Sequence, residues 1–132
     1  MSHAGGCHCG AIRYEATGEP EHSSICHCGD CRRNAGAPFV AWSAFPASRF
    51  RIVRGAPRAF NSSGTAWRHF CPDCGTGLYY VNEAVLPGLV DIQTATLDDP
   101  DALPPQLHVQ AAERLRWIST MESLPAFDRY PG

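Results

Sequence analysis

A chain of 132 residues with 44% hydrophobic and 18% charged residues has the make-up of one globular domain and not of a disordered tail. The formal net charge of −2, with no Lys/Arg run longer than Arg32–Arg33, leaves no basic stripe and argues against a nucleic-acid partner. No stretch has the length and apolarity of a signal-peptide core or a membrane span, so the sequence predicts a cytoplasmic protein without membrane contact.

Eleven prolines and twelve glycines cut the chain into short pieces, few of them of helical length. In "AIRYEA" (11–16), Ile12, Tyr14 and Ala16 alternate with Arg13 and Glu15, the period of a half-buried strand. "PFVAWSAF" (38–45) is rich in aromatic and β-branched residues and stops at Pro46. "RFRIVRG" (49–55) alternates Phe50 and Ile52 with arginines and ends on Gly55, and "PRAFNSSG" (57–64) reads as a short strand running into a turn. "AWRHF" leads into "CPDCGTG" and "LYYVN" leads out, the pattern of two strands joined by a metal-binding knuckle. "LVDIQTATL" (89–97) is a further alternating strand, followed by the loop "DDPDALPP". In "QLHVQAAERLRWI", Leu107, Ala111, Leu115 and Ile118 have helical spacing, while the start reads equally as one more strand. The expectation is one mostly-β domain with very little helix.

All seven cysteines fall into three tight clusters, Cys7/Cys9, Cys26/Cys28/Cys31 and Cys71/Cys74. An odd count containing two C-x-C pairs fits poorly with a disulfide framework, and disulfides seldom persist in the cytosol. A single catalytic thiol among bystanders leaves the clustering unexplained. Zinc is the expected metal, because thiolates are soft ligands and an all-sulfur tetrahedral set suits it. Four thiols close a structural site, and three leave a position open, as catalytic zinc requires. The compact division keeps Cys26, Cys28 and Cys31 together and joins Cys7 and Cys9 to Cys71 and Cys74. Spacing alone also permits a ribbon that pairs Cys28/Cys31 with Cys71/Cys74.

A three-thiolate zinc would be a weakened Lewis acid but a good holder of a substrate thiol as thiolate. His27 stands between two ligands as a candidate relay or substrate contact, although C-x-C alternation turns it away from the flanking sulfurs, as in a surface or packed histidine. His8 is its counterpart in the four-thiol set, and His69 and His108 have no assigned role. Arg32 and Arg33 directly follow the cluster as candidates for a substrate carboxylate, or as solvated charge. Phe39 and Trp42 are candidates for a pocket wall or for strand core.

The blocks "GGCHCGAIRYEA", "CHCGDCRRNAGAPFVAW", "FCPDCGTGLYY" and "TLDDP…LPPQLHV…RLRW" resemble the glutathione-dependent formaldehyde-activating enzyme / centromere protein V family across nearly the whole chain. The resemblance implies a β-tent (Mss4-like) zinc-binding fold of short antiparallel strands, as a single zinc domain over 1–132 with its core at about 4–120. It implies two zinc ions per chain, with Cys7, Cys9, Cys71 and Cys74 as structural ligands and Cys26, Cys28 and Cys31 as catalytic ones. The implied activity is that of a carbon–sulfur lyase that joins formaldehyde and glutathione into S-hydroxymethylglutathione. Its partners would be a small thiol and an aldehyde, with room for a homo-oligomer. Two rival functions are a zinc-folded interaction module without catalysis, and a carbon–sulfur enzyme for a different thiol or carbonyl.

Overall fold

Short alternating segments pair into ten strands and two sheets in the computed structural model, which describes residues 1–132. Strands β1 (Ser2–Gly6), β2 (Arg13–Thr17) and β5 (Phe50–Arg54) form the smaller sheet in the order β1–β2–β5. The larger sheet holds β3 (His22–Cys26), β4 (Val40–Pro46), β6 (Arg58–Asn61) and β7 (Trp67–Phe70). It is completed by β8 (Gly77–Val81), β9 (Leu89–Gln93) and β10 (Leu107–Val109), and runs β10–β3–β4–β9–β8–β7–β6. Every pairing is antiparallel, as expected, except β10 on β3, which is parallel.

The two-residue period divides the larger sheet into two working faces. Phe45, Val90 and Ile92 point toward the smaller sheet and pack with Ile12, Tyr14 and Ala16 in the main core. Cys7 and Cys71 belong to that same cluster, so one pair of knuckle cysteines is anchored in the core. Two hydroxyl pairs fix this layer: Tyr14 Oη with Thr96 Oγ1 at 2.7 Å, and buried Ser43 Oγ with Thr94 Oγ1 at 2.8 Å. The opposite face carries Cys26, Val40 and Trp42, with Tyr80 packed against them, a second and smaller cluster.

Helix is scarce. The one α-helix, α1 (Gly29–Ala35), starts where Cys28 accepts a hydrogen bond from the Cys31 N–H and stops at Gly36 in the left-handed region, φ 63°. The helical spacing of Leu107, Ala111, Leu115 and Ile118 does not produce a helix. Leu107 lies in β10, and only 3₁₀ turns follow, at Ala111–Glu113 and Arg116–Ser123. Gln110 at φ 54° and extended Arg114 and Leu115, with ψ of 135° and 138°, break the repeat that an α-helix needs.

Candidate metal centres

Each cysteine cluster is built by a local turn whose hydrogen bonds can be traced. The β1–β2 turn closes with Gly10 N–H donating to the Cys7 carbonyl at 3.2 Å and Cys7 N–H to the Ile12 carbonyl at 3.1 Å. The β7–β8 turn repeats the device, with Gly75 N–H to the Cys71 carbonyl at 2.8 Å and Cys71 N–H to the Thr76 carbonyl at 3.0 Å. Gly10 and Gly75 sit at φ 81° and 82° with nothing near a notional Cβ, so backbone conformation and not space demands glycine at both. The third turn is the β3–α1 junction, where Cys26 ends a strand, Cys28 caps the helix and Cys31 lies in its first turn.

The turns bring together Cys7, Cys9, Cys71 and Cys74 in one set and Cys26, Cys28 and Cys31 in another. Within each set the sulfurs lie within 4.8 Å of one another. Cys71 and Cys74 therefore meet Cys7 and Cys9, and the ribbon pairing with Cys28 and Cys31 does not form. No fourth Cys, His, Asp or Glu side chain joins the three-thiol set.

The donor geometry fits a metal. Sγ–Sγ separations are 3.6 Å for Cys7–Cys9, 3.8 Å for Cys9–Cys71 and 3.4 Å for Cys26–Cys28. A tetrahedral zinc with bonds of about 2.3 Å requires sulfurs about 3.8 Å apart, whereas a disulfide requires about 2.05 Å. Backbone N–H groups also point at sulfur, Ile12 N to Cys7 Sγ at 3.2 Å and Cys31 N to Cys28 Sγ at 3.3 Å.

The electrostatics agree with the geometry. The contact between Cys26 and Cys31 draws the Cys26 thiol below its ordinary range and pushes Cys31 up, so these two sulfurs compete for one proton. In the four-thiol set, the Thr76 hydroxyl and N–H bring exposed Cys74 down to about 5. Cys9 is pushed up to about 12 by its contact with Cys7, against the opposing pull of the Ala11 N–H. Several thiolates in mutual contact ionise together only beside a cation, which both sets could hold.

The two sets differ in what lies beside them. The three-thiol set forms part of the wall of a cavity of about 590 Å³, together with Trp42, Arg68, Tyr80 and Asp91. Arg68, only 6% exposed, points Nη1 at Cys31 Sγ from 3.7 Å, donates Nε–H to Ser62 Oγ at 3.0 Å and lies over the Tyr80 ring. Asp91 and Tyr80 are register partners, as are Tyr80 and Arg68, so the three stand in one row across β9, β8 and β7.

Other residues singled out in the sequence lie elsewhere. His27 is fully buried, with Nε2 2.8 Å from His108 Nδ1 and its ring 5.9 Å from that of Phe39, and it does not line the cavity. This corrects the reading of His27 as a substrate contact: alternation in C-x-C turns the ring inward beneath β10. Arg32 is likewise outside the cavity. Its Nε–H donates to the His27 carbonyl at 3.2 Å, and it lines a shallow groove with Arg33 and Trp117. His8 is exposed, and His69 stacks on Tyr79 at 4.2 Å on the core side of the sheet. Trp42 does wall the cavity, whereas Phe39 packs on His27. Arg68, Tyr80 and Asp91 carried no motif in the sequence. The only signal was a charge between Val90 and Ile92 in mid-strand.

Comparisons with known proteins agree with this architecture. The crystal structure of a Rhodobacter sphaeroides protein, a structural-genomics target, superimposes with a TM-score of 0.64 at 26% sequence identity, over 80% of this chain and 99% of that one. No helix of the chain is long and apolar enough to cross a membrane. Residues 2–113, which include all seven cysteines and both knuckles, match the model of the glutathione-dependent formaldehyde-activating enzymes, and the chain belongs to that family.

Proposed function

We propose that this chain is a zinc-dependent carbon–sulfur lyase that makes and breaks an adduct between a small thiol and an aldehyde, of which the family's glutathione and formaldehyde are the first candidates. The observation that carries this reading is the asymmetry of the two sulfur sets. Four thiols close on themselves at the edge of the core, while three share the wall of a cavity with room for a small molecule. Cys7, Cys9, Cys71 and Cys74 would hold the structural zinc, and Cys26, Cys28 and Cys31 the catalytic one. A zinc held there by three thiolates would supply a position that favours the thiolate form of a substrate thiol at neutral pH.

The chain's own groups then have separate tasks. Arg68 balances negative charge beside Cys31, and its planar guanidinium is fixed by Ser62 and Tyr80. Trp42 and Tyr80 make the apolar wall that keeps the carbonyl carbon near the sulfur and limits water. Addition of the thiolate forms a carbon–sulfur bond as the carbonyl π bond breaks, and the resulting alkoxide takes a proton from water, replacing the one the thiol lost on ionising, to give the hydroxymethyl product. The working unit is the single domain 1–132 with its core at about 4–120, acting in the cytoplasm without nucleic acid or membrane.

Magnetisation-exchange NMR on glutathione and formaldehyde tests the proposal. The zinc-loaded protein is expected to speed exchange between glutathione and its hydroxymethyl adduct without moving the equilibrium, and Cys31→Ala to abolish the effect. An exchange rate untouched by the fully loaded protein, across glutathione and other small thiols and aldehydes, would leave the interaction module as the better account.

A further inference from the structure

We infer that the cavity beside Cys26, Cys28 and Cys31 carries a cation subsite at Asp91, and that the thiol it takes bears an ammonium group. The inference rests on the thiol reading above and narrows its substrate class. Asp91 is 7% exposed, lines the cavity and leaves Oδ1 buried without a hydrogen-bond partner. Buried carboxylates are ordinarily paired or hydrogen-bonded, so one that lines a cavity and has an oxygen without a partner in the chain marks a position for a donor from outside it.

No side chain of the protein forms an ion pair with Asp91, with His22 and Arg68 standing in the same row of the sheet on either side of it. Arg13 is taken by Asp98 and Arg51 by Glu15. Arg68, in the same row of the sheet, is turned to Cys31 and Ser62. The β4 neighbour of Asp91 in register is Ala44, which has no polar side chain to offer it. Burial alone holds this carboxyl up at about 7, as for an acid with no counter-charge.

Acidic groups outnumber basic ones in the rest of the lining. Asp30 and Glu113 join Asp91 on the wall, and three thiolates on a divalent ion add a further negative charge. Arg68 and His22 are the basic side chains that line it. An acidic wall of this kind favours a ligand that presents an amine to it. Asp91 and Arg68 are two strands apart, and Arg68 Nη1 reaches to 3.7 Å from Cys31 Sγ. The strand spacing sets these backbone rows roughly 10 Å apart, so a ligand would present sulfur and nitrogen at opposite ends of a short chain.

Calorimetric titration of the zinc-loaded protein tests this with matched series of two to five carbons: ω-aminoalkanethiols, ω-hydroxyalkanethiols and ω-mercaptoalkanoates. The best aminothiol is expected to bind about 10- to 100-fold more tightly than its hydroxyl counterpart, the ratio that one charge-assisted hydrogen bond gives, and the carboxylates more weakly than either. Asp91→Asn is expected to bring that ratio close to one. Thiols that bind without preference for the amine, or a preference that survives in Asp91→Asn, overturn the subsite and leave the thiol reading standing. If no thiol binds, the thiol reading falls, and n-butylamine decides the subsite separately. Binding of the amine that depends on Asp91 upholds the subsite, and its absence removes it.

Discussion

Asp91 lies on an interior strand of the larger sheet, where neither face is open water, and this position governs how its charge affects folding. Its carboxyl rises from an ordinary 3.8 to about 7 because burial penalises the anion. Between those two values the folded chain binds the proton more tightly than the unfolded chain does. Stability is therefore lost as pH rises from about 4 to about 7, and the loss is complete above that window. The full penalty has an upper limit of roughly 4 kcal/mol. Asp91→Asn, which removes the charge at nearly constant volume, is expected to leave the melting temperature near that of the parent at pH 4 and raise it by several degrees at pH 8. Calorimetric melts of zinc-loaded protein across that range check it. A variant less stable than its parent at pH 8 would mean that the carboxylate has a partner in the fold. The same position explains why Asp91 was not legible as a site residue. "LVDIQ" gives the alternation correctly, with Val90 and Ile92 in the core, but alternation assigns residue 91 only to the other face. Whether that face meets water or a cavity depends on α1 and the segment after β9, which are distant in sequence.

The turns that carry the cysteines link elements that are distant in sequence. The knuckle at Cys71–Cys74 joins β7 to β8, and its partner at Cys7–Cys9 joins β1 to β2, so the four-thiol set ties the larger sheet to the smaller one. Zinc binding in small structural sites is worth about 10–16 kcal/mol, comparable to the whole stability of a domain. Cys74→Ala is therefore expected to give insoluble protein, or protein without a cooperative melt. Cys31 lies in a helix of one to two turns on the far face, and Cys31→Ala is expected to stay folded with one zinc fewer per chain. Circular dichroism with metal analysis separates these outcomes, and the reverse pattern would exchange the roles of the two sets. The cysteine blocks and the strands at 11–16, 38–45, 49–55 and 89–97 were legible because each has a local signature of spacing or alternation. Strand β1, "SHAGG", was not, because its small residues follow from tertiary packing: the Tyr14 ring lies where a side chain on Gly5 would go. Helix α1, "GDCRRNA", has no apolar period to betray it and is set by its Cys28 cap.

At the scale of the whole molecule, only 27 of 132 residues are buried, and everything after Leu103 is at least partly exposed. The surface of 8092 Å² exceeds the roughly 6,800 Å² typical of a 14.4 kDa monomer, so the tail adds surface without adding core. With so little apolar burial, the sulfur sets add to what holds the chain together. They do so unequally. Cys7 and Cys71 lie in the main core cluster of 11 residues, so a metal there is held by groups that cannot move apart without opening the core. Cys26 and Cys31 belong to a cluster of 4 beside the cavity, through which a chelator can approach. Two zinc ions per chain are therefore expected to leave in sequence. Mild chelation is expected to remove the first from the three-thiol set while the β-sheet dichroism is unchanged, and only stronger chelation or heat to remove the second together with the fold. Thiol labelling during the titration identifies the order, with Cys26, Cys28 and Cys31 becoming reactive before Cys9 and Cys74. The order is informative because Cys9 and Cys74 are the exposed thiols: exposure alone would make them react first. Labelling that begins at Cys9 and Cys74 would mean that the four-thiol set releases its metal first, and the assignment of the structural role to that set would fall.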